Sequence, residues 1–366
     1  MSKSLLILGG VLPAVQLLRR MEKIVDNIHV IAHENDMIVL SKYGKKITYQ
    51  SVSDCLPILK KWINDHHSDC NEWIIIPCSE LFIQYIHHFR ENGFEVFAQS
   101  NENLNIFSNK INMYSWLKSL DISISDFSTL SNDLDFSSSK KYIIKCSKAS
   151  ENYIPPFKTK TIYSHYELQK LRTIIPRDNW DNFVIQPLFK KNKSISYGGV
   201  WNNGIEIAGL IVNQVRQYPQ GITSCAARLE ECEAKKTITE VISKISNNVC
   251  LHGFIELEFI QNEAGIYPID LNPRLWGWSN FLISSYPDIP EKILTNNISN
   301  ISVDLGFNSW CNIWRDLPAC FKISKSFWEF LTLLISLLKV TRKDFISLND
   351  IKPEFNGVFN KLRKGK

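Results

Sequence analysis

The sequence predicts an α/β protein: an N-terminal parallel-sheet domain, two α+β lobes after it, and a C-terminal helical extension. Three observations carry this. The first hundred residues alternate apolar strands with helical segments, the pattern of a doubly wound parallel sheet. Further on, strands come in adjacent pairs joined by tight turns, the mark of antiparallel hairpins. One such pair, GFIELEFIQNEAGIYPIDLNPRLWGW from Gly253 to Trp278, sets Glu256, Glu258 and Asp270 among Ile, Leu and Phe.

The elements follow in order. SLLILGG is a buried strand that turns at Gly9-Gly10 into a helix from about Pro13. HVIAHEN is a second strand. WIIIPCSE is a third, and its helix is ELFIQYIHHFRENG, with Gly93 as C-cap. FEVFAQ is a fourth. Polar residues cluster from Asn101 to Asn105 and mark a break. FSNKINMYSWLKSLDI is then a helix, YIIKCS a short strand carrying Lys145, HYELQKLRTII a helix and NFVIQPLF a strand. SYGGVWNNGIEIAGLIVNQVRQYP is a hairpin with Asn203-Gly204 at its turn. A helix from about Ala234 to Cys250 leads into the acidic hairpin. Two glycines after the first strand are too few for a dinucleotide fingerprint, which removes a dehydrogenase reading.

Composition bounds the rest. At 366 residues with 44% hydrophobic content the chain has material for two or three domains. Nine cysteines, an odd count without a CxxC, suit reduced thiols in a cytoplasmic protein. MSKSLLILGG lacks the form of a signal peptide, and no run reaches the length of a membrane span. The nearest, Phe327 to Val340, contains Glu329 and Lys339. Apolar residues nearly all round it predict a helix packed on the protein's own core, with peripheral membrane contact as the alternative. The formal charge is +5, and the tail from Lys339 supplies all of it with eight Lys/Arg against three Asp/Glu. The remainder is neutral, so no nucleic-acid footprint is expected. His66-His67 and His87-His88 lack helical ligand spacing, and no metal is assigned to them.

The acidic hairpin can be put in register. A three-residue loop, Glu263-Ala264-Gly265, pairs Asn262 with Ile266. Counting back sets Glu258 opposite Asp270 and Glu256 opposite Asn272, all on one face. Like charges so placed repel unless they share a proton or bind a cation. A solvated face is the plain alternative. Asn272 adds an amide oxygen, and an all-oxygen set suits Mg²⁺ or Mn²⁺. Magnesium in such sites bridges carboxylates and substrate phosphates. Candidate cations for those phosphates are Lys110 opening a helix, Lys145 ending a strand, Arg216 ending a hairpin strand and Arg274 in NPR.

These residues resemble the ATP-grasp superfamily. GFIELEFI…GIYPIDLNPRLWGW is similar to its metal-binding signature, YIIKCS to its phosphate-binding lysine strand, and FVIQPLF to its adenine hinge. QVRQYPQGITS and the C-terminal WRDLPA region look most like the carboxylate–amine ligase branch that includes D-aspartate ligase-like proteins. The resemblance implies a pre-ATP-grasp domain at 1–105, a small lobe at 106–185, a large lobe with the metal site at 186–300, and a helical extension at 301–366. It implies ATP and Mg²⁺ as cofactors, with Glu258, Asp270 and Asn272 holding metal and Lys110 and Lys145 meeting phosphates. Gln186, Pro187, Leu188 and Phe189 would line the adenine, Arg216 and Arg274 would stabilise transferring charge, and Tyr218 to Ser224 would close over the site. Three positions depart from the family pattern. Asp270 stands where Glu is usual, Pro187 follows Gln186 where Glu is usual, and KKNKSISYGG supplies no ribose-binding acid. The implied activity is ATP-dependent amide formation through an acyl phosphate, on small-molecule or polymer-linked carboxylate and amine substrates. A non-catalytic nucleotide-binding scaffold is the competing expectation. A dimer is the default assembly.

Overall fold

A computed structural model describes residues 3–136, 141–147, 153, 155–188, 193–219, 221–295, 301–344, 347 and 349–353. The N-terminal part runs β1 (Ser4–Leu8), α1 (Leu12–Met21), β2 (Ile28–His33), β3 (Lys45–Tyr49), α2 (Val52–Asp65), β4 (Trp73–Pro77), α3 (Glu80–Ile83), α4 (Ile86–Glu91) and β5 (Glu95–Val96). Its five strands form a parallel sheet in the order β3-β2-β1-β4-β5. Helices cover both faces, so β1 and β4 are buried throughout and read as continuous apolar runs. Strand β3, KKITY, was not among the expected elements. It is the edge strand, its lysines suit an edge, and only Tyr49 is buried. The polar cluster expected as a break is instead helical. In α5 (Asn101–Phe107) the Ser100 hydroxyl caps the Asn103 amide at 3.1 Å.

The chain continues through α6 (Lys110–Ser119), β6 (Ser128–Thr129), β7 (Tyr142–Cys146), β8 (Thr159–Ile162), α7 (His165–Ile174) and β9 (Phe183–Pro187), with a small antiparallel sheet ordered β6-β9-β7-β8. Then come β10 (Lys193–Asn202), β11 (Ile205–Gln217), β12 (Thr223–Arg228), α8 (Glu233–Asn248), β13 (Gly253–Asn262), β14 (Gly265–Asn272), α9 (Ser279–Ser285), α10 (Ile289–Thr295), β15 (Ser309–Asn312), α11 (Ile313–Ile323), α12 (Phe327–Leu338) and β16 (Arg342–Asp344). Seven of these strands build one sheet, β14-β13-β10-β11-β12-β15-β16. The C-terminal segment is therefore not purely helical, because β15 and β16 extend the large sheet. Asn203 and Gly204 turn β10 into β11 with φ of 47° and 83°, the left-handed pair of the expected tight turn.

The acidic hairpin reaches the expected pairing by a different route. Asn262 pairs with Gly265, so the loop has two residues, and the Asn262 carboxamide accepts from the Ala264 and Gly265 amides. A bulge at Ile269 then restores the register, leaving Glu258 opposite Asp270 and Glu256 opposite Asn272. On the same face, β10 sets Gly198 beside Glu256 and Ser196 beside Glu258. Gly198 is required there, since a Cβ would lie 2.2 Å from the Trp276 ring. Trp276 and Trp278 lie over that face 5.2 Å apart, fully inside the largest core.

In the N-terminal core, His29 is buried among Trp62, His66 and Trp73 and accepts the Trp62 indole N–H at 3.0 Å. Burial, then His66, pushes its pKa from 6.5 down to about 4. The unfolded chain thus binds a proton that the folded chain refuses between those values, and stability falls as pH drops through that window. His29→Gln keeps an acceptor for Trp62 and removes the titration. Unfolding midpoints from pH 7 to pH 4 should show the variant losing less stability than the parent, and parallel profiles would refute the assignment.

Candidate active site

Two lysines from different elements converge on the acidic pair. The Lys110 ammonium contacts Asp270 Oδ1 directly. Helix α6 holds it there. The Asn109 side chain caps the helix by accepting from the Ile111 and Asn112 amides, and the Ser147 hydroxyl just past β7 donates to Asn109 at 2.8 Å. The Lys110 amide donates to the Ser147 carbonyl at 3.2 Å, tying the helix start to the end of the lysine strand. Lys145, on β7, reaches Gln186 Oε1 at 3.4 Å. Burial, then the neighbouring Lys110, lowers its pKa, while Asp270 and Glu258 work against that fall.

Glu258 is the most perturbed of the cation-facing acids. Burial first, then Asp270 across the ladder, pushes it up to about 7 against the pull of Lys110 and Lys145. Asp270 moves the other way. Burial raises it, but Lys110, Lys145 and Lys158 together outweigh burial and its pKa lies below the ordinary value. The pair thus behaves as opposed carboxylates should, one anion secured by lysine and the other held near neutrality until a cation arrives.

Glu256 has a different part. Buried, it accepts the Trp278 indole N–H at 2.7 Å and the Asn272 amide N–H at 3.1 Å. This commits the Asn272 nitrogen and leaves its oxygen to face a ligand. Among the described residues no three His, Cys, Asp or Glu side chains group into a metal site. The oxygens on this face that could hold a cation are the carboxylates of Glu258 and Asp270 and the Asn272 amide oxygen. All three are hard oxygens, which fits Mg²⁺.

The arginines divide. Arg274 lies 3.8 Å from Glu80 at the end of the parallel sheet and beside the acidic face: burial, then Glu258, holds the Glu256 pKa well above the ordinary value, and Arg274 works against that rise. The structure does not place Arg216 with it. A bulge at Val215 breaks the alternation of β11. Gln214 remains on the acidic face and hydrogen-bonds Glu258, whereas Arg216 pairs with Cys225 and turns toward α11 and α12. There it is buried, bidentate on Asp316 at 2.6 and 2.9 Å and donating to Ser336 at 2.9 Å. Its guanidinium is occupied by structure, which corrects its expected position as a phosphate clamp.

The hinge also differs from expectation. Pro187 has no N–H, and the Leu188 N–H donates to the Lys141 carbonyl at 2.7 Å. Neither offers a backbone donor to a base. Gln186 contributes its side chain, held between Lys145 and Tyr114. Phe189 and Gln220 lie outside the described residues, as does the terminal KLRKGK.

Three residues at or near the site were not foreseen. Gln214 also donates to Ser196 at 2.6 Å, orienting it under Glu258. Tyr114 is fully buried and donates to the carbonyl of the bulge residue Ile269 at 2.7 Å, with Gln186 Oε1 at 3.1 Å. Arg315, in the first turn of α11, is partly buried and has no hydrogen-bond or ionic partner among the described residues. Its Nη1 lies 4.0 Å from where a side chain on Gly277 would begin. No sequence signal separates these three from ordinary core and surface positions.

No family model and no curated protein matches the chain. Solved structures do. N5-carboxyaminoimidazole synthetase from Staphylococcus aureus superposes with a TM-score of 0.63 at 14% identity, over 82% of this chain and 78% of that one. A biotin carboxylase–ATP complex from Campylobacter jejuni gives 0.64 at 13%, over 82% and 73%. A biotin carboxylase domain from Hydrogenobacter thermophilus with magnesium ADP gives 0.62 at 12%, over 80% and 69%. The chain has the ATP-grasp fold. These likenesses carry the architecture and not the branch, so the D-aspartate ligase-like assignment rests on the sequence resemblance alone.

Tyr114→Phe isolates the bulge contact. It removes one buried hydroxyl and leaves the Ile269 carbonyl short of a partner, which costs about 1–3 kcal/mol. Chemical denaturation should show that loss. Stability within a few tenths of a kcal/mol of the parent would mean that the bulge does not depend on Tyr114.

Proposed function

We propose that the chain is an ATP-dependent ligase that joins a carboxylate to an amine through an acyl phosphate. One observation carries this most directly. Lys110 and Lys145, from a helix and a separate sheet, meet Glu258 and Asp270 on the hairpin, as a site for a metal-bound triphosphate requires.

A carboxylate does not react with an amine at neutral pH, because oxide would have to leave. Attack of a carboxylate oxygen on the γ-phosphorus of ATP expels ADP and gives an acyl phosphate. The amine nitrogen then attacks the acyl carbon, phosphate leaves, and the nitrogen loses a proton. Magnesium, when bound, neutralises phosphate charge and aligns the transfer. Glu258, Asp270 and the Asn272 oxygen would hold it. Lys110 and Lys145 would bind phosphate oxygens, with Lys110 exchanging Asp270 for substrate as the metal takes over that carboxylate. Arg274, beside Glu256, would steady charge on the transferring group. Arg315 supplies an unpaired guanidinium for an anionic group of the substrate, because Asp316 next to it is already satisfied by Arg216 and by Ser224 at 2.8 Å. The Tyr218–Ser224 segment, which follows β11 and enters β12, would exclude water from the acyl phosphate.

The substrates this supports are small-molecule carboxylates and amines. Nothing in the geometry adds a polymer-linked acceptor. None of the nine cysteines forms a disulfide, which suits a reducing cytoplasmic setting. The hinge favours one competing reading. Without donors at Pro187 and Leu188 the chain would hold nucleotide weakly, as a scaffold without turnover. Calorimetry with Mg·ATP and ADP release across a panel of carboxylates and amines separate the two, since a scaffold binds but releases no ADP.

Two results are expected once a substrate pair is found. Glu258→Gln and Asp270→Asn should each lower ADP release by about 100-fold or more with an unchanged circular dichroism spectrum. Near-parental turnover from either would sink the metal assignment. Arg315→Met should raise KM for the carboxylate about tenfold while leaving that for ATP in place. A shift in the ATP value alone would move Arg315 to the nucleotide.

A further inference from the structure

Helix α12 is apolar over most of its circumference, with Glu329, Thr332 and Ser336 as its polar residues, yet only Leu337 among its residues is buried. Phe330, Leu333 and Leu337 face a small core with Cys225, Cys311 and Cys320. The stripe Phe327, Leu331, Leu334, Ile335 and Leu338, at spacing i, i+4, i+7, i+8 and i+11, lies away from that core. This overturns the expectation that the segment packs wholly on the protein. Trp328 is 76% exposed, Phe321 on α11 is 74%, Leu338 is 71% and Phe327 is 67%. Large apolar side chains clustered in this way mark an interaction surface.

The charges around it identify the occupant. Lys322 and Lys325 stand at the α11–α12 turn, and Lys339 caps the far end of the stripe. Lys343, whose ammonium donates to the carbonyls of Leu338, the last residue of α12, and of Val340 just past it, adds to that end. Glu329 is the one exposed acid on the two helices, and it is held at the α12 start by the Lys325 amide. An apolar stripe with exposed Trp and Phe, bracketed at both ends by lysines, matches an interface whose centre is hydrocarbon and whose rim is anionic. Two copies of this chain joined through the face would set lysine rims close together, which repels. We propose that the α11–α12 face is a membrane-surface contact selective for anionic lipid headgroups, with the helices lying in the interface plane. No helix among the described residues is long and apolar enough to cross a bilayer.

The contact bears on the site beside it. Asp316 of α11 and Ser336 of α12 both hold Arg216, and Ser224 at the start of β12 holds Asp316. Lys322 also lies 5.8 Å over the Tyr218 ring, in the turn proposed to close the active site. A bilayer on this face would therefore hold that turn near the membrane.

The test is sedimentation of the full chain with phosphatidylcholine vesicles, pure or containing about one-third phosphatidylglycerol. Binding is expected with the anionic vesicles alone and should weaken in high salt. Lys322→Gln, Lys325→Gln and Lys339→Gln together should lower partitioning about 100-fold, at about fivefold per lysine. Phe327→Ser with Trp328→Ser should abolish it. All these side chains are exposed, so unchanged unfolding midpoints are expected and are to be measured alongside. Absence of binding to anionic vesicles overturns the proposal, and so does equal binding to neutral vesicles that ignores the lysine changes. Lipid-free sedimentation velocity supplies the third arm. A dimer that Trp328→Ser disperses would make the face a chain–chain interface instead.

Discussion

The site depends on one electrostatic constraint. Glu258 and Asp270 face each other across an antiparallel ladder, where opposed Cα atoms are about 5 Å apart. Two anions so close in a half-buried site repel by several kcal/mol even at an effective dielectric near 20. Lys110 eases this by holding Asp270, and Glu258 responds through its raised pKa. The fold thus tolerates the cluster through the two lysines that face it. Its supports come from three places: Asn109 and Ser147 fix Lys110, β7 presents Lys145, and Tyr114 pins the bulge that sets Asp270. Breaking any support releases charge as well as packing.

A second constraint lies on the reverse of β11. Arg216 and Asp316 are both buried, and such a pair offsets its desolvation only with full hydrogen bonding. Asp316 has that, from two guanidinium nitrogens and the Ser224 hydroxyl. Removing one partner of a buried pair costs about 3–5 kcal/mol. The pair docks α11 and α12 on one face of the large sheet, and it explains why Arg216, with the right charge at a strand end, is not free to meet phosphate.

What the sequence made legible follows from what is local. The strand–helix alternation, the Asn203-Gly204 turn and the clustering of acids each depend on neighbours along the chain. Even the meeting of Glu258 and Asp270 was readable, although by an inexact route. A three-residue loop, and a two-residue loop followed by one bulged residue, place the same side chains opposite each other. The bulges themselves were not readable. Ile269 and Val215 look like ordinary strand residues, and the second reversed the face of Arg216. Helix α12 defeated inference differently. Burial was expected from its apolar composition, but composition does not say how much surface the rest of the chain can cover. Tyr114 and Arg315 matter through what lies across space from them, which no local pattern records.

The same distinction accounts for a fold shared at 14% identity or less with the structures compared above. The architecture needs buried apolar strands and glycines at a few turns, and many sequences meet that. The site needs particular atoms at particular places, and the side chains can be exchanged if reach is conserved. Asp270 illustrates this. It is one methylene shorter than the glutamate of the family pattern, so its carboxylate extends less far from the strand. Lys110 has a long, flexible side chain and spans the difference, as its direct contact with Oδ1 shows. A cation bound at Asp270 must compete with that lysine. Phosphate oxygens offer Lys110 another partner, so metal and nucleotide would each make room for the other, and binding of Mg²⁺ without ATP would be disfavoured by the Lys110–Asp270 contact.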